Sequence, residues 1–92
     1  MSEVSDLYRE SIAALEAISA DFKTSDEARE RANAQIEVLR GKAQDAALED
    51  LASRTDNLNA LAANLSSVLE KTQDQGGPLA ALTQRVKRAL GA

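Results

Sequence analysis

Residues 48–72 read LEDLASRTDNLNALAANLSSVLEKT. Leu48, Leu51, Thr55, Leu58, Ala62, Leu65, Leu69 and Thr72 recur three and four apart, and Leu61 and Val68 widen the row. That spacing gathers side chains on one face of an α-helix and scatters them across a strand. The stretch holds neither glycine nor proline. It therefore reads as a helix with one leucine-rich side.

The same grammar extends towards the N-terminus. Residues 1–75 contain no proline and a single glycine, Gly41. Val4, Leu7, Tyr8, Ser11, Ile12, Leu15, Ile18 and Phe22 lie on one face of a first helix, expected over about residues 2–22. Thr24-Ser25-Asp26-Glu27 has the form of a capping box, a hydroxyl followed three residues on by a glutamate. It predicts a break near residues 23–25. Two heptad rows would otherwise run straight through, and their weakest members, Ser25 and Arg29, sit at this box.

The next helical stretch, about residues 25–74, permits two readings. Ile36 and Leu39 belong to one register, and the leucines from Leu48 onward belong to another. Leu39, Ala43, Ala47 and Leu51 join them in steps of four, a stutter that one continuous helix can absorb. Such a helix would be about 75 Å long. The other reading has a break, either at residues 41–44, where Gly41 suits a helix end, or at residues 54–56, where Thr55 and Asp56 are cap-type residues. Glu27 and Arg31 are spaced as an i,i+4 ion pair. Gln75-Gly76-Gly77-Pro78 is a clear stop, after which Leu79, Leu82, Val86 and Leu90 line a short helix over about residues 78–90.

The expected fold is all-α: one domain over residues 1–92, with three or four helices in a hairpin or bundle with coiled-coil-like packing. Of the 40 apolar residues, 18 are alanine and 12 are leucine, while Tyr8 and Phe22 are the only aromatics. Alanine favours helix but buries little area. A core so short of large side chains gains from a second copy or a partner, so a homo-oligomer or a protein complex is expected.

Composition narrows the function. The chain has no cysteine and no histidine, which removes thiolate chemistry, the commonest general base and the usual metal ligands. Glu27 with Glu30, and Asp45 with Glu49, share helical faces, but ordinary surface roles account for them. No catalytic residue, cofactor or metal is expected. No apolar run approaches the roughly 18 residues of a membrane span. The acidic start, Met-Ser-Glu-Val-Ser-Asp, has no apolar signal core, so a cytoplasmic location is expected.

The net charge of −4 divides unevenly: residues 79–92 carry +3 and residues 1–78 carry −7. An acidic body repels a phosphate backbone, so nucleic acid is not an expected partner. Arg85, Lys87 and Arg88 form a basic tail that suits an acidic surface, including the chain's own body. Membrane contact is not expected of so short a basic segment without an aromatic anchor.

What remains is contact between helices. The candidate interface is Leu48, Leu51, Leu58, Leu61, Leu65, Val68 and Leu69. Two occupants fit this stripe: a partner helix, or the core of the chain's own bundle. Asn57, Asn59 and Asn64 flank it; such residues more often face solvent, and at a seam they would set register. The expected role is a small adaptor, chaperone-like or assembly factor. The alternative is a small acidic inhibitor or antitoxin-type protein that occludes a basic site on its target.

Overall fold

The computed structural model describes residues 3–46, 51–72 and 77–91. They form four helices: α1 (Glu3–Ala20), α2 (Asp26–Ala46), α3 (Leu51–Thr72) and α4 (Gly77–Gly91). There is no strand among the described residues. α1 packs against α2 and α3 against α4, and the two hairpins close on each other through α2–α3 and α1–α4.

α2 and α3 are antiparallel. Lys71 Nζ lies 3.0 Å from Glu27 Oε1 at one end of their seam. One turn along, Arg31 donates to Ser67 Oγ at 3.1 Å. Residues 25–74 are therefore not one continuous helix. The whole molecule is only 39 Å in its longest dimension, half the length such a helix would need.

Neither expected internal break is present. α2 runs through Gly41 to Ala46, and α3 runs through Thr55 and Asp56. The physical reason is exposure. Gly41, Thr55 and Asp56 all face solvent, where a poor helix former costs little packing. A Cβ added at Gly41 would meet nothing within 4 Å. Gly41→Ala is accordingly expected to stabilise the fold by about 0.5–1 kcal/mol, visible as a rise of a few degrees in the thermal midpoint.

One core joins all four helices. Tyr8, Leu15, Leu39, Leu58, Leu61, Leu65, Val68, Leu79 and Val86 have no solvent exposure. The Tyr8 hydroxyl escapes isolation by donating to the Asn57 carbonyl at 2.9 Å, which ties α1 to α3. Buried hydroxyls are satisfied within their own helices: Ser11 donates to the Leu7 carbonyl at 2.6 Å and Thr83 to the Leu79 carbonyl at 2.8 Å. Small hydroxyls at these positions pack like alanine without leaving an orphaned donor.

The α2–α3 seam is the polar one. Beyond the Arg31–Ser67 contact, Gln35 Oε1 and Asn64 Nδ2 are buried with no hydrogen-bond partner among the described residues. An unsatisfied buried amide costs about 1–3 kcal/mol. Asn64 thus does sit at a helix seam. Asn59 is exposed, and Asn57 contributes its backbone carbonyl to Tyr8.

Candidate functional site

The leucine stripe is covered by the chain itself. Leu58, Leu61, Leu65 and Val68 are fully buried, and Leu69 is partly buried against the same core. Of the two occupants open to this face, the chain's own helices take it, which withdraws these four side chains as contacts for a partner. Leu48 lies outside the described residues, and Leu51 is the first residue of α3.

The basic tail also turns to the body. α4 buries Leu79, Leu82 and Val86, while Arg85, Lys87 and Arg88 are exposed. Arg85 donates to both carboxylate oxygens of Glu10 on α1, at 3.1 and 2.8 Å. This is the fork geometry that only a guanidinium supplies. An open groove of about 840 Å³ runs between α1 and α4 here, lined by Asp6, Leu7, Arg9, Glu10, Arg85 and Arg88. Its two acids pair with two of its three arginines: Arg9 reaches Asp6 at 3.7 Å, and Arg85 is held by Glu10.

Two of the candidate carboxylates can be placed; of the Asp45 side chain nothing is described. Glu27 faces Lys71 across the seam and Arg31 donates to Ser67, while the i,i+4 neighbour Arg31 still acts on the Glu27 carboxylate through its charge. Glu30 is exposed; Glu49 lies outside the described residues. Among the described residues no group of acidic side chains is placed to hold a metal ion. No helix among the described residues is long and apolar enough to cross a membrane.

Two of these pairs titrate. The hydrogen bond from Arg85 holds the Glu10 carboxyl below its ordinary value of 4.5, and the hydrogen bond from Lys71 does the same for Glu27. A carboxyl with a lowered folded pKa contributes stability above its unfolded pKa, and that contribution is lost as pH falls through the folded one. Thermal midpoints should therefore drop as pH falls below 4.5. Glu10→Gln should flatten this acid limb, a comparison that melts between pH 7 and pH 3 would make directly.

The most unusual local structure is the α1–α2 turn. Arg29, in the first turn of α2, reaches back over it. Its Nε donates to the Ser19 carbonyl at 2.9 Å, and its Nη2 donates to the Asp21 and Thr24 carbonyls at 3.0 and 3.2 Å. Its Nη1 is 3.2 Å from Asp26 Oδ1. One side chain thus reaches the Ser19 carbonyl at the end of α1 and two carbonyls of the turn, of which that of Asp21 also accepts the Thr24 amide at 3.0 Å. Thr24 Oγ1 adds a bond to the Ile18 carbonyl at 2.7 Å, and the Lys23 amide donates to Asp21 Oδ1 at 2.9 Å.

The reciprocal capping box expected at Thr24–Glu27 does not form, and a simple serine cap one residue on takes its place. Ser25 is the cap, its Oγ accepting the Ala28 amide at 3.2 Å. Thr24 is claimed by the end of α1, and Glu27 by Lys71.

This fixed turn carries Phe22 outward. Phe22 was expected on the apolar face of α1, but α1 stops at Ala20, and the ring is 85% exposed. The only other exposed large apolar residue among the described ones is Val38, at 42%. Lys23 Nζ lies 6.0 Å from the centroid of the Phe22 ring, at the limit of a cation–π contact. Beside the turn is a mostly apolar groove of about 180 Å³, formed by Ala14, Ala17 and Ile18 of α1, Thr24 of the turn, and Pro78 and Leu79 of α4. Asp21, whose Oδ1 accepts the Lys23 amide, also lines it.

Compared with protein-family models, with curated proteins and with solved structures, the chain matches none.

Proposed function

We propose that this chain is a non-enzymatic protein–protein interaction module, a small cytoplasmic adaptor, chaperone-like or assembly factor. The contact surface is the α1–α2 turn, in place of the leucine stripe. One observation carries this reading: the chain's single phenylalanine is exposed on a turn whose backbone is fixed by hydrogen bonds. Aromatic side chains are enriched at protein interfaces. A group already held in place loses less conformational freedom on binding. The absence of histidine and cysteine from the sequence supports a role in contact over one in chemistry.

Cross-linked capture from an extract of the source cells, with the wild-type chain, Phe22→Ser and Val38→Ser side by side, tests the proposal. Wild type and Val38→Ser should retain the same partner, another copy of the chain included, and Phe22→Ser should lose it. Capture that is indifferent to Phe22 would overturn the assignment of the surface.

A further inference from the structure

We infer that the occupant of this surface is a second copy of the chain, docked so that the Phe22 ring of each copy enters the α1–α4 groove of the other. The inference rests on the proposed role of the turn and adds the identity of the partner.

Size is the first argument. The groove offers about 180 Å³ between small residues, Ala14 and Ala17, and the apolar side chains of Ile18, Pro78 and Leu79. An apolar cavity on the order of 150 Å³ accepts a benzene ring. The protein's own Phe22 leaves this space open, because its ring stands in solvent.

Position is the second. Asp21 and Thr24, the residues on either side of Phe22-Lys23, both line the groove. Anchor and receptor therefore share one end of the molecule. A two-fold axis passing beside the turn brings each ring to the other copy's groove, and a closed dimer needs such a self-complementary patch. An anchor and a groove at opposite ends would instead generate an open chain of molecules.

Charge is the third. The Lys23 ammonium travels with the ring, and the exposed Asp21 is one of the residues lining the groove that the ring enters. In the two-fold arrangement each lysine meets the other copy's aspartate, so the pairing is made twice. The contact centres on one ring per copy, which suits a reversible dimer that dissociates on dilution.

Sedimentation equilibrium over a dilution series reads the outcome. The wild-type mass should climb from 9.8 kDa towards twice that value with concentration. Phe22→Ser should stay at the monomer mass. Asp21→Lys sets lysine against lysine across the contact, and Lys23→Glu sets glutamate against aspartate. Each alone should weaken the dimer by at least about tenfold.

An equimolar mixture of these two variants restores both opposite-charge pairs, and only in the mixed dimer. It should recover most of the wild-type affinity, with circular dichroism melts verifying that each variant is folded. A wild-type monomer at every concentration would overturn the inference. So would a dimer indifferent to Phe22→Ser, or the loss of both single variants without recovery on mixing. If the wild type is monomeric while Phe22-dependent capture yields a different protein, self-docking fails and the role of the turn in binding stands.

Discussion

Leu65→Ala is expected to lower the unfolding free energy by about 3 kcal/mol, out of a total on the order of 5–15 kcal/mol for a domain of ordinary stability. Leu65 has no exposure in the closed bundle, so truncation removes buried methyl groups and leaves a cavity among helices that cannot fully collapse. In a chain of this size the midpoint should fall by roughly 10–20 °C. The result separates the two occupants of the leucine stripe. If a partner covered this face, the isolated chain would melt almost unchanged, because the side chain would already be in water. Leu69→Ala, at a partly buried position beside it, should cost distinctly less.

The second large effect is expected at Arg29. Its guanidinium serves three backbone carbonyls and one carboxylate, and its side chain is 31% exposed. Hydrogen bonds made by a charged group contribute more than neutral ones; the bonds to the Ser19 and Thr24 carbonyls are part-buried, while the Asp21 carbonyl is exposed and keeps the Thr24 amide. Arg29→Ala should therefore cost about 2–3 kcal/mol. Most of this comes from the carbonyl bonds, since the contact with the fully exposed Asp26 is a solvated surface pair. Arg29→Lys keeps the charge but cannot span three acceptors at once, and should recover less than half of the loss. Hydrogen exchange adds a local readout: the amides of Asp21 and Thr24, bonded within the turn, should lose protection in Arg29→Ala first. A variant that melts like the wild type would remove the clasp from the account.

The all-α class was legible because helical spacing persists wherever a helix is found. Val4, Leu7, Tyr8 and Leu15 on α1, and Leu79, Leu82 and Val86 on α4, are all buried as their spacing predicts. Periodicity identifies a face, however, and is silent about what covers it. Leu58 and Leu65 would show the same pattern beneath a partner's helix or beneath the chain's own. Gly41 shows a second limit. A glycine suits a helix end, but on a solvated face it also rides inside a helix at small cost, and the sequence does not mark the difference.

The turn was legible in part. Thr24-Ser25 announced a break, yet which hydroxyl caps α2 depends on the Ile18 carbonyl, which claims Thr24. Arg29 looked like a flaw in a heptad row. Its partners are backbone carbonyls, which every residue possesses, so no residue pattern advertises them. Phe22 was placed on the core face because the spacing runs one turn further than the helix does.

The Arg29 clasp has a consequence for the order in which the molecule assembles. Its bonds close over separations of three to ten residues, whereas Tyr8–Asn57 spans 49 and Glu10–Arg85 spans 75. Short closures sacrifice less chain entropy, so the α1–α2 hairpin is the unit able to gain native contacts early, and the clamp of α4 onto α1 comes late. A stopped-flow chevron would express this as a division of labour. Arg29→Ala should act chiefly by slowing folding, and Glu10→Gln by speeding unfolding. The turn that carries Phe22 would then take shape before α4 brings Pro78 and Leu79 to the groove, so a newly made chain would present its anchor before its receptor is built.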